Sequence, residues 1–419
     1  MNKRGRVKSG QGIFYGWVVL TVAFITVVLG YAIRNSFAVF YPTIVEEFVW
    51  GRGSTALMFS LSVIVYGLAS PLAGTMVDRF KPRLILPLGG LIAGVGVALC
   101  SLATSQWHFF IFYGFITAIG LSLAGWTPLT AIVSNWFVKK RGLVMGIMAA
   151  GFGGSLISAP LAQLLISSFG WQKAYIIVGI FPIVIIVPLC SLLIRRTPRD
   201  KGLLPDGETK KSPRPQDQAT SWTLSRAIKT YQFWLLFTIA FFLLGLTEQI
   251  AIAHQVYFFR DVGYEPMTAA NIYSVFGIAF IIGTLCSFLS DRFGRERIFI
   301  PSCLLSAATV SLLFLIQDAS HPWMPVLFAV CFGLGVGAAG PVFYSAVADL
   351  FHGKHFGSIL GTITIGFSLG GALGPPLAGY LHDITKNYFL TFLIIMGSLI
   401  ATAVLMWLIA PGKIRPIQR

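Results

Sequence analysis

Charged residues are scarce in this chain. Asp, Glu, Lys and Arg make up 11% of its 419 residues, whereas about 25% is usual for a soluble domain. Apolar residues make up 56%, and the mean hydropathy is +0.78. A soluble globular domain is thereby excluded, and we predict an integral membrane protein that contacts the lipid bilayer.

Residues that could form metal sites or disulfides are also few. The chain has six His, and two of them, His352 and His355, form an H-x-x-H pattern with no neighbouring Cys or acid to complete a metal site. We therefore expect no metal, no cofactor and no enzymatic centre. The five cysteines lie in apolar runs, which favours buried thiols over disulfides: Cys100, Cys190, Cys286, Cys303 and Cys331.

Long apolar runs dominate what is present. Read with a window of about 20 residues, they predict an all-α membrane protein with twelve transmembrane helices. The predicted spans are 15–41, 54–77, 84–104, 107–136, 143–169, 172–194, 231–258, 267–290, 298–317, 323–350, 358–382 and 387–410.

Positive charge is distributed unevenly between the connecting segments. Of the 31 Lys and Arg, 26 fall on the side of the two termini, four fall on the opposite side, and one, Arg34, lies inside a span. Cytoplasmic segments carry such an excess, so we predict that both termini are cytoplasmic, in a plasma or bacterial inner membrane. The placement explains the net charge of +16 without a nucleic-acid partner.

The chain is divided into two similar halves. The charged, Pro-rich stretch 195–230 is predicted to be a cytoplasmic linker between residues 1–194 and 231–419. Five small residues recur at an offset of 215: Gly120, Gly125, Gly142, Gly151 and Pro160 recur as Gly335, Gly340, Gly357, Gly366 and Pro375. Two pseudo-symmetric six-helix halves are typical of secondary transporters.

Three motifs resemble a known family. GTMVDRFKPR (74–83) is similar to the loop motif between helices 2 and 3 of the major facilitator superfamily, with Lys81 in place of a glycine, and DRFGRE (291–296) is its second copy. YGWVV (15–19) and WFVKKRGLVMGIMAAGFGG (136–154) resemble signatures of its monocarboxylate porters, and the chain is also similar to the oxalate/formate antiporters. The resemblance implies a major facilitator fold with alternating access. It also implies gating roles for Gly74, Asp78, Arg79, Arg83, Asp291, Arg292 and Arg295.

Two permanently charged side chains remain inside the predicted spans once helix ends are set aside, namely Arg34 and Glu248. Such residues are costly in a membrane and are usually functional. We expect Arg34 to meet an anionic substrate and Glu248 to be its counter-ion and proton-coupling group, although a purely structural pair is the alternative. His254, two turns from Glu248, is either a proton relay or structural. Asp349 and Asp383 lie at helix ends, where we expect solvated or capping roles.

Neutral polar and aromatic residues are predicted to complete a substrate site with Arg34: Tyr31, Asn35, Tyr66, Trp126, Thr127, Gln249, Tyr344 and Thr364. In the porters that the chain resembles, a first-helix lysine is functional, and its position holds Asn35; their helix-8 Asp and Arg positions hold Ala279 and Gly283. With one cavity cation, a monoanion is compensated better than a dianion.

We therefore predict a monomeric secondary active transporter of a small organic monoanion, such as a monocarboxylate, coupled to protons. The alternative is an exchanger or exporter of a larger organic anion or a drug.

Overall fold

The computed structural model describes residues 14–137, 140–207, 222–351 and 356–409. Within these ranges the chain is helical without a strand, and twelve helices are long and apolar enough to cross a membrane, which confirms the predicted fold class. We number them in chain order. They are α1 (Tyr15–Phe48), α2 (Arg52–Val77), α3 (Pro82–Leu102), α4 (Gln106–Trp136), α5 (Leu143–Phe169), α6 (Trp171–Leu193), α7 (Tyr231–Asp261), α8 (Pro266–Phe293), α9 (Arg295–Leu315), α10 (Trp323–Leu350), α11 (Ser358–Thr385) and α12 (Phe389–Ile409).

Helix α1 is longer than predicted and is interrupted at Ser36. It consists of Tyr15–Asn35 and Phe37–Phe48, and the Ser36 hydroxyl donates to the Ile33 carbonyl at 2.8 Å. The extension carries two exposed acidic residues at positions 46 and 47, which is why hydropathy alone predicts an earlier end. Arg34 therefore lies two residues before a break in its helix.

Two helices contain wide, π-type turns. They run over Phe110–Thr117 in α4 and over Ala240–Thr247 in α7. Such turns are rare and occur frequently at functional sites, because the extra residue per turn changes which side chains face a neighbouring helix. In α7 the wide turns end immediately before Glu248 and therefore set its direction.

Glycines allow the two halves to approach closely. Helices α5 and α8 pack at Gly153, where a Cβ would lie 2.7 Å from the Gly277 carbonyl oxygen. Helices α2 and α11 pack at Gly53, where a Cβ would lie 3.0 Å from the backbone nitrogen of Tyr380. Small residues at such crossings are typical of helix packing in lipid.

The bundle has two distinct ends. We call the end with Arg52, Asp261 and Asp383 the distal end, and the end with the first and last described residues the proximal end. The close packing of α2 on α11 extends from the distal end to Gly67, which lies against Ser368. From Gly67 to its end at Val77, α2 continues for about 15 Å toward the proximal end. The halves are thus held together at the distal end and at the middle.

The structure describes part of the predicted linker and all five cysteines. Residues 195–207 and 222–230 contain three short helical turns, Pro198–Lys201, Pro205–Gly207 and Leu224–Ala227. Residues 208–221 of the linker lie outside the described residues, as do His352 and His355 of the H-x-x-H pattern. All five cysteines are free thiols, as predicted, but only three are buried, since Cys286 and Cys331 are half-buried.

Candidate functional site

Arg34 is the centre of the site. It is 6% exposed, and the Tyr113 hydroxyl donates to its backbone carbonyl at 2.7 Å. Its guanidinium Nη2 donates to Gln249 Oε1 at 3.0 Å, which links α1 of one half to α7 of the other. The guanidinium carbon lies 5.4 Å from the ring centroid of Phe59 and 5.7 Å from that of Tyr66, distances at which a cation is attracted to an aromatic face.

The expected ion pair between Arg34 and Glu248 is not formed. Gln249 faces Arg34 instead, and successive residues on a helix point about 100° apart, so Glu248 is turned away around α7. Glu248 is 8% exposed and interacts electrostatically with Tyr344 of α10. Among the described residues, no Lys or Arg lies within 4.0 Å of its carboxylate.

A recess opens beside Arg34 in the N-terminal half. The space among its lining residues is about 280 Å³, a figure that includes solvent at its open side. Four of the nine predicted substrate-binding residues line it, and a fifth, Gln249, is bonded to Arg34. The lining residues come from α1, α2 and α4: Thr26, Val27, Gly30, Tyr31, Arg34, Tyr66, Leu121, Gly125 and Trp126.

The other four predicted substrate-binding residues do not line this recess. Asn35 donates from Nδ2 to Ser155 Oγ at 2.8 Å and so joins α1 to α5. The Thr127 methyl group packs beside Gly74 of α2. The Thr364 hydroxyl donates to a carbonyl of its own helix at 2.8 Å. Tyr344, the fourth, is 42% exposed and lies on the opposite half, near Glu248.

His254 joins two helices of the C-terminal half. Its Nε2 lies 2.8 Å from the Pro375 carbonyl oxygen and its Nδ1 lies 3.1 Å from the Tyr388 hydroxyl. A carbonyl oxygen can only accept, so Nε2 carries a proton. Both ring nitrogens are occupied and the ring is 3% exposed, an arrangement that favours the structural alternative over a proton relay.

The distal end is closed by a set of charged contacts between the halves, which we call the distal clasp: Arg52, Asp261 and Asp383. Arg52 binds Asp261 with both terminal nitrogens, one of them at 2.8 Å. The backbone N–H groups of Arg52 and Gly53 donate to the two oxygens of Asp383 at 3.1 and 2.9 Å. Asp383 is therefore a capping residue, as expected, but the helix whose N-terminus it caps, α2, belongs to the other half.

The first gating motif is described in part. The backbone of Asp78 is helical, but its side chain lies outside the described residues, and Arg79 is exposed. Arg83 donates from Nε to the Ile194 carbonyl at 2.9 Å and from Nη2 to the Leu192 carbonyl at 3.4 Å. Arg83 thus binds the C-terminal end of α6, where a cation is favourable.

The second gating motif forms a charge network. Arg295 donates from Nε to Asp349 at 2.9 Å and from Nη1 to the Ser290 hydroxyl at 2.7 Å, and its Nη1 lies 2.5 Å from Asp291. Asp349 is therefore ion-paired rather than solvated or capping as expected. Arg292 lies over the neighbouring ring of Phe293, at 5.7 Å from its centroid.

Several residues of the site are not predicted by the sequence-based reasoning. Phe59 and the recess walls Val27 and Leu121 are apolar and carry no signal that separates them from other lipid-compatible residues. The sequence does contain a signal for the distal clasp, because Arg52 is one of only four Lys and Arg predicted on its side of the membrane. A cation that is rare in its surroundings is a candidate for a specific contact.

Two six-helix halves that meet around a buried cation, with one end closed, define a membrane transporter rather than an enzyme. The model of the Major Facilitator Superfamily matches residues 23–288 and 256–418, and the chain belongs to that superfamily. It is an integral, multi-pass membrane protein.

Curated relatives place the chain near the monocarboxylate branch of the superfamily. It is 28% identical over 390 residues to monocarboxylate transporter 13 of Rattus norvegicus, covering 92% of this chain and 87% of that protein. It is 27% identical over 418 residues to monocarboxylate transporter 2 of Homo sapiens, covering 96% and 86%.

Solved structures show the same fold. A bacterial homologue of the human lysosomal transporter Spinster, described as inward-facing and unoccupied, matches with a TM-score of 0.65 at 19% identity, covering 94% of this chain and 95% of that one. The occupied form of the Spinster homologue matches with a TM-score of 0.62 at 18% identity, covering 96% of both chains.

Proposed function

We propose that this transporter moves a small organic monoanion, a monocarboxylate, together with a proton by alternating access. The observation that carries the proposal is the buried guanidinium of Arg34 at the junction of the halves, beside an open recess. The names of the curated relatives support a monocarboxylate as the substrate class.

Arg34 is suited to bind a carboxylate. Of its five N–H donors, one is bonded to Gln249, and the described residues supply no hydrogen-bond acceptor for the others. A guanidinium can bind both oxygens of a carboxylate with two parallel bonds. Gln249 offers a neutral amide oxygen, which an anionic oxygen can replace with a stronger, charge-assisted bond.

When a substrate displaces the Gln249 amide oxygen from Arg34, a contact between the halves is also lost. The bond from Arg34 to Gln249 joins α1 to α7. A substrate that takes over the guanidinium releases this link, and it thereby alters the relative free energies of the two orientations of the halves. The Arg34 guanidinium binds either Gln249 or the substrate, so substrate binding and reorientation of the halves are coupled.

Charge balance supports Glu248 as the coupling group. Arg34 and Glu248 are the two buried residues among the described Lys, Arg, Asp and Glu. When Glu248 is ionised, the empty transporter therefore carries one buried charge of each sign. A monoanion alone would add an uncompensated charge, which is costly away from water. Protonation of Glu248 restores neutrality, and anion and proton then cross together.

The orientation proposed from the charge distribution is that both termini and the linker are cytoplasmic, in the plasma or inner membrane. The proximal end then faces the cytoplasm, and the distal clasp closes the outer side. The proposal treats the monomer as the functional unit, since each chain contains both halves of the site.

The cation is tested by substitution of Arg34. We expect Arg34→Ala to abolish uptake of labelled pyruvate into proteoliposomes, and Arg34→Lys to retain part of it, because lysine lacks the bidentate fork. Arg226→Ala removes the same charge from an exposed position and is the matched control. Uptake by Arg34→Ala at the rate of the control variant would contradict the assignment.

Coupling is tested by Glu248→Gln, which mimics the protonated carboxyl. We expect this variant to exchange internal for external pyruvate while losing accumulation driven by a pH gradient. Glu47→Gln, at an exposed position, is the matched control and should accumulate normally. Undiminished accumulation by Glu248→Gln would show that Glu248 is structural. If the unmodified protein exchanges but never accumulates pyruvate, the alternative of an anion exchanger replaces the symporter.

A further inference from the structure

The recess beside Arg34 has one polar end and a largely aromatic body. Arg34 is its one charged residue, and Tyr31, Tyr66 and Trp126 supply three aromatic side chains. Two aliphatic side chains, Val27 and Leu121, complete the wall with Thr26, Gly30 and Gly125. An occupant whose carboxylate is bound by Arg34 must therefore place the remainder of its structure against rings and alkyl groups.

Few polar groups in the recess are free to bind that remainder. The Thr26 hydroxyl donates to the Val22 carbonyl of its own helix at 2.8 Å and lies 3.4 Å from the Cys190 sulfur. Tyr31 and Tyr66 interact with each other through their hydroxyl groups. A hydroxyl or keto group placed among these side chains, away from the Arg34 guanidinium and the Trp126 indole N–H, would thus lose water without an unoccupied partner, which is unfavourable.

Two of the rings present faces that the protein itself does not stack. Most aromatic residues of this core pack ring against ring, as Tyr31 does on Phe152 with centroids 5.1 Å apart. Within the described ranges, Tyr66 and Trp126 make no such ring pair, and Tyr66 contacts only the guanidinium of Arg34 in this manner. Unstacked rings in an apolar recess are suited to a planar, aromatic ligand.

We infer that the preferred substrates are aryl-substituted monocarboxylates rather than short aliphatic ones, with the carboxylate on Arg34 and the aryl group against Tyr66 and Trp126. The inference rests on the proposed function, since it requires that Arg34 binds the substrate carboxylate. It adds the chemical nature of the group that selects among monocarboxylates.

Matched pairs of acids test the inference. Lactate and 3-phenyllactate differ only in a phenyl group, as do pyruvate and phenylpyruvate. We expect calorimetric titration of the purified protein to show each phenyl acid binding about tenfold or more tightly than its small counterpart, because the recess removes a phenyl ring from water. The readout is the affinity ratio within each pair.

Two recess variants should lower that ratio by different routes. Trp126→Leu removes one ring from the wall. Gly30→Val fills space instead, and it is tolerated locally because a Cβ at Gly30 would meet only a Leu121 methyl at 3.6 Å, an ordinary contact. We expect each to reduce the ratio at least about threefold. Trp107→Leu, at a ring that is 74% exposed, should leave the ratio unchanged.

The outcomes separate this inference from the proposed function. Equal binding within each pair overturns the inference and leaves monocarboxylate binding intact. A high ratio that neither recess variant lowers overturns the placement of the aryl group. Failure of all four acids to bind, or binding that Arg34→Ala does not weaken, overturns the proposed function and the inference with it.

Discussion

The distal clasp predicts a shift in the conformational equilibrium when Asp383 is changed to asparagine. In the structure, the carboxylate accepts two backbone N–H bonds from the N-terminus of α2, at 3.1 and 2.9 Å. Asparagine can accept one of them with its amide oxygen, but its amide nitrogen then faces a second donor. The variant therefore loses one bond and the negative charge that strengthens both.

The magnitude follows from the kinds of bonds involved. A hydrogen bond to a charged group contributes about 1.5 kcal/mol at a partly exposed position, and a neutral one contributes about 1 kcal/mol. Exchanging two charged bonds for one neutral bond thus costs the closed distal end about 2 kcal/mol. Since about 1.4 kcal/mol corresponds to a factor of ten, the ratio of distal-closed to distal-open molecules should fall about thirtyfold.

Pulsed electron–electron double resonance measures the ratio of distal-closed to distal-open molecules. Spin labels at Leu102, which is 68% exposed, and at Ser320 report the separation of the halves at the distal end in a background without the five native cysteines. We expect Asp383→Asn to add a population with a longer distance. Asp200→Asn is the control, because Asp200 accepts two bonds from Thr197 within one short segment.

A distance distribution for Asp383→Asn that matches the Asp200→Asn control would refute the reasoning. It would mean that the contacts of Asp383 follow from closure and do not stabilise it. The remaining contacts, chiefly Arg52 with Asp261, would then account for the closed end.

Three further predictions concern orientation, a buried histidine and a helix crossing. A cysteine at Ser320 should react with an impermeant reagent in intact cells and one at Lys201 should not; reaction at position 201 would reverse the proposed orientation. His254→Phe should lower the free energy of unfolding by about 1–3 kcal/mol in detergent while folded molecules keep proton-driven uptake; normal stability with lost uptake would restore the proton-relay role. Gly153→Val should slow transport without preventing membrane insertion, because its side chain would press on the Gly277 carbonyl; wild-type rates would show that this crossing tolerates separation.

The fold was predictable because a bilayer leaves few choices. Backbone groups in lipid must be satisfied within a helix, so apolar runs of about 20 residues predict helices directly. A helix end is predicted wrongly where the helix extends beyond the lipid, because the need to satisfy backbone groups within the helix no longer applies there. At the distal end of α1 the helix continues through the exposed residues Glu46 and Glu47, of which Glu46 is ion-paired with Arg260, and hydropathy does not register this extension.

Arg34 and four of the residues around it were predictable from the sequence, but the hydrogen-bond partner of Arg34 was not. Arg34 is conspicuous because a guanidinium inside a membrane span is energetically costly and is usually functional. Its partner could not be predicted, since the choice between Glu248 and Gln249 depends on rotation about α7, and the wide turns over Ala240–Thr247 alter that rotation.

The distal clasp shows a further limit of prediction from sequence. Asp383 is recognisable as a helix-end residue, but the helix that it caps lies 330 residues earlier in the chain. Local sequence rules describe caps within a few residues of the helix they terminate. Contacts between docked halves require the docked geometry.

The cap on α2 also has a consequence for how the protein is made. Synthesis proceeds from the N-terminus, so α2 enters the membrane long before Asp383 exists, and the first N–H groups of α2 must be solvated by water until α11 arrives. The N-terminal half is therefore incomplete when produced alone. If the two halves are expressed as separate polypeptides, the first should be degraded unless the second is supplied, and the Asp383→Asn second half should rescue it poorly.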